Sequence, residues 1–336
     1  MAIRKGRTVL LARPIPVIGY GSVVGKKEGE GPLGRAFDEI VADARFGEKT
    51  FEQAESKMQK QAVRYAIQRA GISENQVDVI TAGDLLNQCI GSSFGLMETE
   101  IPFLGVYGAC STMALSLMIN ASMVESGAVK TAVSVTSSHF CSAERQYRFP
   151  LEYGGVRPQT SQWTVTGAGA MVLQKDGVGK AAVSSFCAGK IVDLKVTDQN
   201  NMGAAMAPAA CDTILTYLKD TETRVGDYDG IYTGDLGSVG TELLYRLSEQ
   251  MGKPLAGHHA DFGKMIYDPA TQDVHAGGSG CGCSASLLCS YIMQRFNKEE
   301  IHRMLYCATG ALLSPTSVLQ GQSIPGICHL IELVAI

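Results

Sequence analysis

Gly108-Ala109-Cys110-Ser111-Thr112-Met113 is the stretch that decides how this chain is read. Before it, Ile101 to Tyr107 has the composition of a buried strand. After it, Met113, Ala114, Leu115, Leu117, Met118, Ile119, Ala121, Met123 and Val124 predict a helix apolar on nearly every face, and Gly127 is a natural stop. The junction therefore sets one cysteine at the head of a buried helix. A thiol in that first turn lies near unpaired N–H groups and the positive end of the helix dipole, which is expected to lower its pKa and make Cys110 a nucleophile. The alternative is steric: cysteine is small and packs well at a crowded turn.

An internal repeat widens the reading. Val77-Asp78-Val79-Ile80-Thr81-Ala82-Gly83-Asp84-Leu85 and Tyr228-Asp229-Gly230-Ile231-Tyr232-Thr233-Gly234-Asp235-Leu236 agree at five of nine positions. Each copy follows an amphipathic helix, marked by Ala62, Val63, Ala66, Ile67 and Ala70 in the first and by Ile214, Leu215 and Leu218 in the second. Carrying the offset forward places Cys110 opposite Asp261, two residues after His259, so the two halves are expected to present a cysteine and a histidine from related strand ends. Thr131 to Thr136 and Met304 to Thr309 predict a further matched pair of buried strands, and Ala168 to Leu173 and Ile327 to Val334 predict the strands that close each half. Strands alternating with helices predict parallel sheets, and the repeat divides the chain into residues 1–176 and 177–336, each of ordinary domain size.

Composition narrows the function classes. With a net charge of −4 and no Lys/Arg block interleaved with aromatics, the chain is not expected to bind nucleic acid. The ten cysteines lack the spacing of a disulfide framework or a zinc site, and Cys281-Gly282-Cys283 has no CxxC partner or adjacent histidine, so neither disulfides nor a metal centre is expected. Residues 101–124 carry no charge, but Pro102, Gly105, Gly108, Ser111, Thr112, Ser116 and Asn120 argue for strand, turn and buried helix, not a membrane span. The N-terminus has no long apolar core or cleavage site, so no signal peptide is expected.

Nine pieces in order, among them Gly31-Pro32-Leu33-Gly34, AGDLLNQ at 82–88, GACSTM at 108–113, AERQYRFPLEYGG at 143–155, TVTGAGA at 164–170, MGAAMAPAA at 202–210, TGDL at 233–236, AGGSGCGCSA at 276–285 and ATGALLSPT at 308–316, resemble the thiolase superfamily. Within it they are most similar to its sporulation members in spore-forming bacteria. The resemblance implies an α/β fold of two pseudo-symmetric halves in a layered α-β-α-β-α arrangement. It implies binding of dipicolinic acid (pyridine-2,6-dicarboxylate), calcium only as the ligand's counter-ion and no other cofactor. It further implies membrane-protein partners of the same operon, a homodimer, and a cytoplasmic protein held peripherally at the forespore or spore inner membrane. The competing implication is a condensing enzyme that accepts an acyl group on Cys110.

Active members of that superfamily need a cysteine, a histidine and a third polar group, His or Asn, at the oxyanion. Cys110 fits the first role and His259 the second, whereas Ala276-Gly277-Gly278-Ser279-Gly280 offers glycine and serine where the third would stand. His275, one residue earlier, reads better as a partly exposed loop residue. The incomplete set favours binding over condensation. For a dicarboxylate, Arg145, Arg148 and Arg157 supply guanidinium forks, with Tyr147, Phe149 and Tyr153 as ring partners; the competing reading is a solvated loop of surface ion pairs. Ser111 beside the thiol, together with Gly278 and Ser279, completes the expected lining. Asp84 would repel an anion unless calcium or a proton intervened, and otherwise caps a helix or turn; Asn87 offers an amide or is simply a turn residue.

Overall fold

A computed structural model of the chain describes residues 2–147 and 157–336. Its strands are β1 Ile3–Lys5, β2 Thr8–Gly25, β3 Glu39–Val41, β4 Val79–Gly83, β5 Phe103–Gly105, β6 Thr131–Ser138, β7 Trp163–Thr164, β8 Gly167–Gln174, β9 Ala181–Cys187, β10 Gly230–Thr233, β11 His259–Asp261, β12 Gly278–Ser279, β13 Arg303–Ala311 and β14 Gly326–Ala335. The main sheet runs β11-β10-β13-β14-β9-β2-β8-β6-β4-β5, with β1 and β3 flanking β2, and β7 pairs with β12 apart from it.

That order reads the same from either end. Each wing has an outer parallel trio, β5-β4-β6 or β11-β10-β13, followed inward by antiparallel strands, β8 and β2 or β14 and β9. The expected all-parallel sheets are thus mixed. Parallel pairing needs a crossover helix between strands, and the helix Thr112–Ser126 provides one between β5 and β6. From β13 to β14 the chain has only a short helix, Pro315–Leu319, and it returns antiparallel.

The repeated aspartates show how closely the halves match. Asp78 accepts from the backbone N–H groups of Lys130 and Thr131, and Asp229 accepts likewise from His302 and Arg303, so in each wing the same carboxylate ties the strand start to its neighbour. The helices Phe51–Ala70 and Met202–Thr221 cover the outer faces, packing Met58, Ala62 and Val63 against Val133 and Val172 on one side and Met206, Ala210 and Ile214 against Leu305 and Leu330 on the other. The first is closed by a Thr50–Gln53 capping box and stopped by Gly71 in the left-handed region.

Between the wings lies a central layer. Thr112–Ser126, stopped by Gly127 as expected, packs beside a helix that begins at Cys281, passes through a π-turn at Leu288–Ile292 and ends at Asn297. Met113, Leu117, Leu288 and Ile292 share one core with Met171 and Leu173 of one wing and Met304 and Tyr306 of the other. The result is five layers, helix, sheet, helix, sheet, helix. A helix with both faces buried must be apolar all round, which is the pattern of residues 113–124. No helix among the described residues is long and apolar enough to cross a membrane.

Upstream of Cys110 the expectation needs correction. The strand spans only Phe103–Gly105 and is the exposed outer edge of the sheet, not a buried strand. With nothing paired beyond it, its apolar side chains stay half open to solvent.

Candidate ligand-binding site

Cys110 sits just ahead of the helix Thr112–Ser126, 6% exposed, in a turn where Ala109 takes a left-handed φ of 50°. Ser111 and Thr112 hold this turn by donating through their hydroxyls to Gly108 O and Ala109 O, each at 2.6 Å. The thiol opens on a cavity whose polar lining comes from Tyr107, Cys110, Glu144, Tyr147, Thr164, Gln199 and Ser279, with Leu85, Met202 and Leu313 among its apolar walls. Its free volume is about 50 Å³, room for a few waters. At its mouth the hydroxyls of Tyr107 and Tyr147 meet at 3.1 Å, and Tyr147 also donates to Leu85 O at 2.6 Å.

Across from the thiol stands Asp235, from the second copy of the repeated Gly-Asp-Leu. Fully buried, it accepts from Thr309 Oγ1 at 2.7 Å, Gly280 N at 2.9 Å and Ser279 Oγ at 3.1 Å, and its charge acts on the Cys110 thiol. Burial pushes the Cys110 thiol well above its ordinary value, and the negative charge of Asp235 adds to the rise. The expected lowering of this pKa is therefore reversed. The helix dipole is worth about 1 kcal/mol near a terminus, less than the cost of a desolvated thiolate facing a carboxylate. Asp235 itself is raised by burial.

His259 is not in this cavity. On edge strand β11 its ring bonds Thr233 Oγ1 at 2.8 Å and Tyr245 OH at 3.2 Å, and burial lowers its pKa to about 3, so it stays neutral. The offset that placed it near Cys110 fails because the chain travels from β11 through residues 262–280 before starting its central helix, whereas β5 reaches its own through residues 106–111. Asp261 caps the helix Phe262–Met265 and accepts from Leu236 N and Gly237 N. The residue at the head of the second central helix is Cys281. It packs in one small cluster with Cys110, Leu85 and Ala143.

Of the remaining expected residues, Ser279 lines the cavity and Gly278 lies in the strand beside it, its carbonyl accepting from Gln162 Nε2 at 2.8 Å. Asp84 is fully buried and accepts from Leu86 N, Ser92 N and Ser92 Oγ at 2.6 to 2.9 Å, the capping alternative. Asn87 is an exposed turn residue, and Ser111 is turned onto Gly108 O. Arg145 pairs with Glu52 on the surface. Arg157 pairs with Asp273, and His275, partly exposed, bonds Pro158 O at 2.9 Å. Arg148, Phe149 and Tyr153 lie outside the described residues. Gly280, at φ 101°, is glycine for a reason: a Cβ there would come 2.6 Å from Ser138 Oγ, so the run packs tightly against its own fold.

Sequence reasoning missed Asp235, Glu144, Thr164, Gln199 and Tyr107 as site residues. Only Asp235 carried a signal, its place in the repeat. All ten cysteines are free thiols, and no cluster of three or more His, Cys, Asp or Glu suited to a metal occurs among the described residues.

Residues 5–334 match the family described as stage V sporulation protein AD. Stage V sporulation protein AD of Bacillus subtilis (strain 168) is 41% identical over 329 residues, which cover 98% of this chain and 97% of that protein. Among solved structures, cerulenin-bound OleA of Xanthomonas campestris aligns with a TM-score of 0.60 at 15% identity over 97% of this chain and all of that one (100%). The 3-oxoacyl-[acyl-carrier-protein] synthase III of Aquifex aeolicus VF5 aligns with a TM-score of 0.55 at 12% identity over 95% and 99%. At these identities the solved structures establish the thiolase-like fold alone.

Proposed function

This chain belongs to the stage V sporulation protein AD family, and we propose that it binds dipicolinic acid in the Cys110 cavity and, with the SpoVA membrane proteins, supports its uptake with calcium into the developing spore. The observation that carries the reading is the pairing of Cys110 with Asp235. A buried thiol set against the charge of a carboxylate stays neutral, and no histidine lines the cavity among the described residues, so the site keeps a pocket at the helix head without a means of making a thiolate. Recognition is left to the tyrosine rings, to Arg148, the sequence candidate that directly follows Tyr147, and to the Ser279 and Thr164 hydroxyls once the ligand draws them from Asp235 and Glu144. Calcium enters with the ligand and neutralises it against Glu144 and Asp235.

Admission of a ring with two carboxylates requires Tyr107 and Tyr147 to part, since the free space is about 50 Å³ and small-molecule sites run to roughly 300 Å³ or more. Tyr107 is 46% exposed and has solvent to move into. The protein works at the forespore membrane as a peripheral subunit and as a homodimer. The second copy pairs along β5, where Phe103 and Leu104 form an open strand edge beside Phe94 (63% exposed) and Met97 (69% exposed).

Calorimetry of the purified protein with dipicolinate, with and without calcium, tests the reading. Saturable heat that Cys110→Ala or Ser279→Ala weakens about tenfold, and that His259→Ala leaves unchanged, supports it. No heat under either condition overturns it.

A further inference from the structure

We propose that a second cleft, behind the wall of the Cys110 cavity, is a separate site for a small planar aromatic carboxylate. The wall is thin and two-sided. In β7, Thr164 faces the Cys110 cavity while Trp163 faces the other way, and in the helix Phe140–Tyr147 residues Ala143, Glu144 and Tyr147 line the first space while Phe140 and Cys141 line the second. The second space has a free volume of about 520 Å³, against about 50 Å³ for the first, and falls within the usual range of small-molecule sites.

Its chemistry is specific. Trp163 stacks on Phe140 with ring centroids 3.8 Å apart and planes 10° from parallel, so the pair turns ring edges to the cleft. Lys27 Nζ lies 3.6 Å from the Trp163 centroid. Half-buried, Lys27 has an Asp273 carbonyl as its hydrogen-bond acceptor at 3.1 Å and makes no ion pair among the described residues, although its neighbours Lys26 and Arg157 pair with Glu30 and Asp273. An ammonium so placed has N–H groups to spare and has lost part of its water, a cost that an arriving carboxylate offsets. The small residues Gly25, Ala42 and Ala44 also line the cleft. A ring laid along the indole edge therefore brings its carboxylate to Lys27. This site does not depend on what the Cys110 cavity binds.

Trp163 is the single tryptophan of the chain and so reports on the cleft directly. Its fluorescence, excited at the red edge of the band, is followed while the full-length protein is titrated with benzoate, pyridine-2,6-dicarboxylate and inorganic phosphate in turn. The proposal expects a saturable change with either aromatic carboxylate, at least tenfold weaker binding in Lys27→Met, no loss in Lys26→Ala or Cys110→Ala, and phosphate at least tenfold weaker than the carboxylates. A titration in which Trp163 does not respond, in which Lys27→Met binds as well as the native protein, or in which phosphate binds equally, overturns it. If the methionine variant does not fold, benzoate binding followed by calorimetry in Lys27→Gln, with melting to confirm folding, decides between the same two outcomes. Heat with dipicolinate that Ser279→Ala removes, without a Trp163 response, sinks this site and leaves the Cys110 reading standing.

Discussion

Cys110 and Cys281 stand at the heads of the two central helices, one from each wing, and each is set against acids of the opposite wing. The charge near Cys110 comes first from Asp235, and that near Cys281 first from Glu55 and Asp84. Yet one of these thiols borders a cavity while the other is sealed, with Cys281 donating to Ser137 O at 2.9 Å. The difference lies in what surrounds the acids. Asp235 binds the walls of a space through Ser279, Gly280 and Thr309, whereas Asp84 closes its own turn through Leu86 and Ser92, and Glu55 is held by Ser137 and Ser142. Duplication thus supplied two similar helix heads, and polar satisfaction made one a pocket and the other part of the core.

Removing either repeated aspartate should do the most damage. Asp235→Ala leaves the donors of Thr309, Ser279 and Gly280 buried without an acceptor and is expected to cost about 3–5 kcal/mol in urea unfolding. Asp84→Ala should cost a similar amount, but only Asp235→Ala should also change the reactivity of Cys110. If both variants leave Cys110 alike, the two helix heads are not distinct environments.

Next in size is a pH effect on the sealed side. Burial first, then the charge of Asp84, raises Glu55 from 4.5 to about 8, so the folded protein keeps this carboxyl protonated where the unfolded chain has lost the proton. The folded state then holds more protons between those values, and the Glu55 contribution to stability falls as pH rises from 4.5 to about 8 and levels off above. Glu55→Gln should flatten the curve of unfolding free energy against pH over that window, by roughly 1–3 kcal/mol across it. A variant with the native slope would show that Glu55 is ionised in the fold.

The finest distinction is between the thiols themselves. Cys281→Ala should cost about 1–2 kcal/mol of stability and leave dipicolinate binding intact, since it removes a sealed sulfur packed behind the cavity lining and not part of it. Cys110→Ala, bordering free space, should cost less in melting experiments and more in binding. The reverse pattern would exchange the roles assigned to the two helix heads.

Much of the fold was legible because buried elements write their burial into composition. The apolar run at 113–124 predicted a helix realised as Thr112–Ser126, and residues 131–136, 168–173, 304–309 and 327–334 all fall inside observed strands. Edge strand β5 was overread, since Ile101 to Tyr107 is apolar in composition but only three residues pair, on one side. The site was less legible, for two physical reasons. A thiol's pKa depends on what faces it across the fold, and Asp235 lies 125 positions from Cys110. A repeat offset tracks the chain only until the halves diverge in length, and the excursion through residues 262–280 carried His259 to an outer edge and put Cys281 where the offset pointed to Asp261.

If Cys110 is a neutral lining group of a binding cavity, it cannot serve as an acyl acceptor, and intact-protein mass spectrometry after incubation with acyl-coenzyme A near neutral pH decides between the two roles. An unmodified chain, alongside a calorimetric response to dipicolinate, is the predicted result. A thioester adduct that accumulates with time and maps to Cys110 would contradict it.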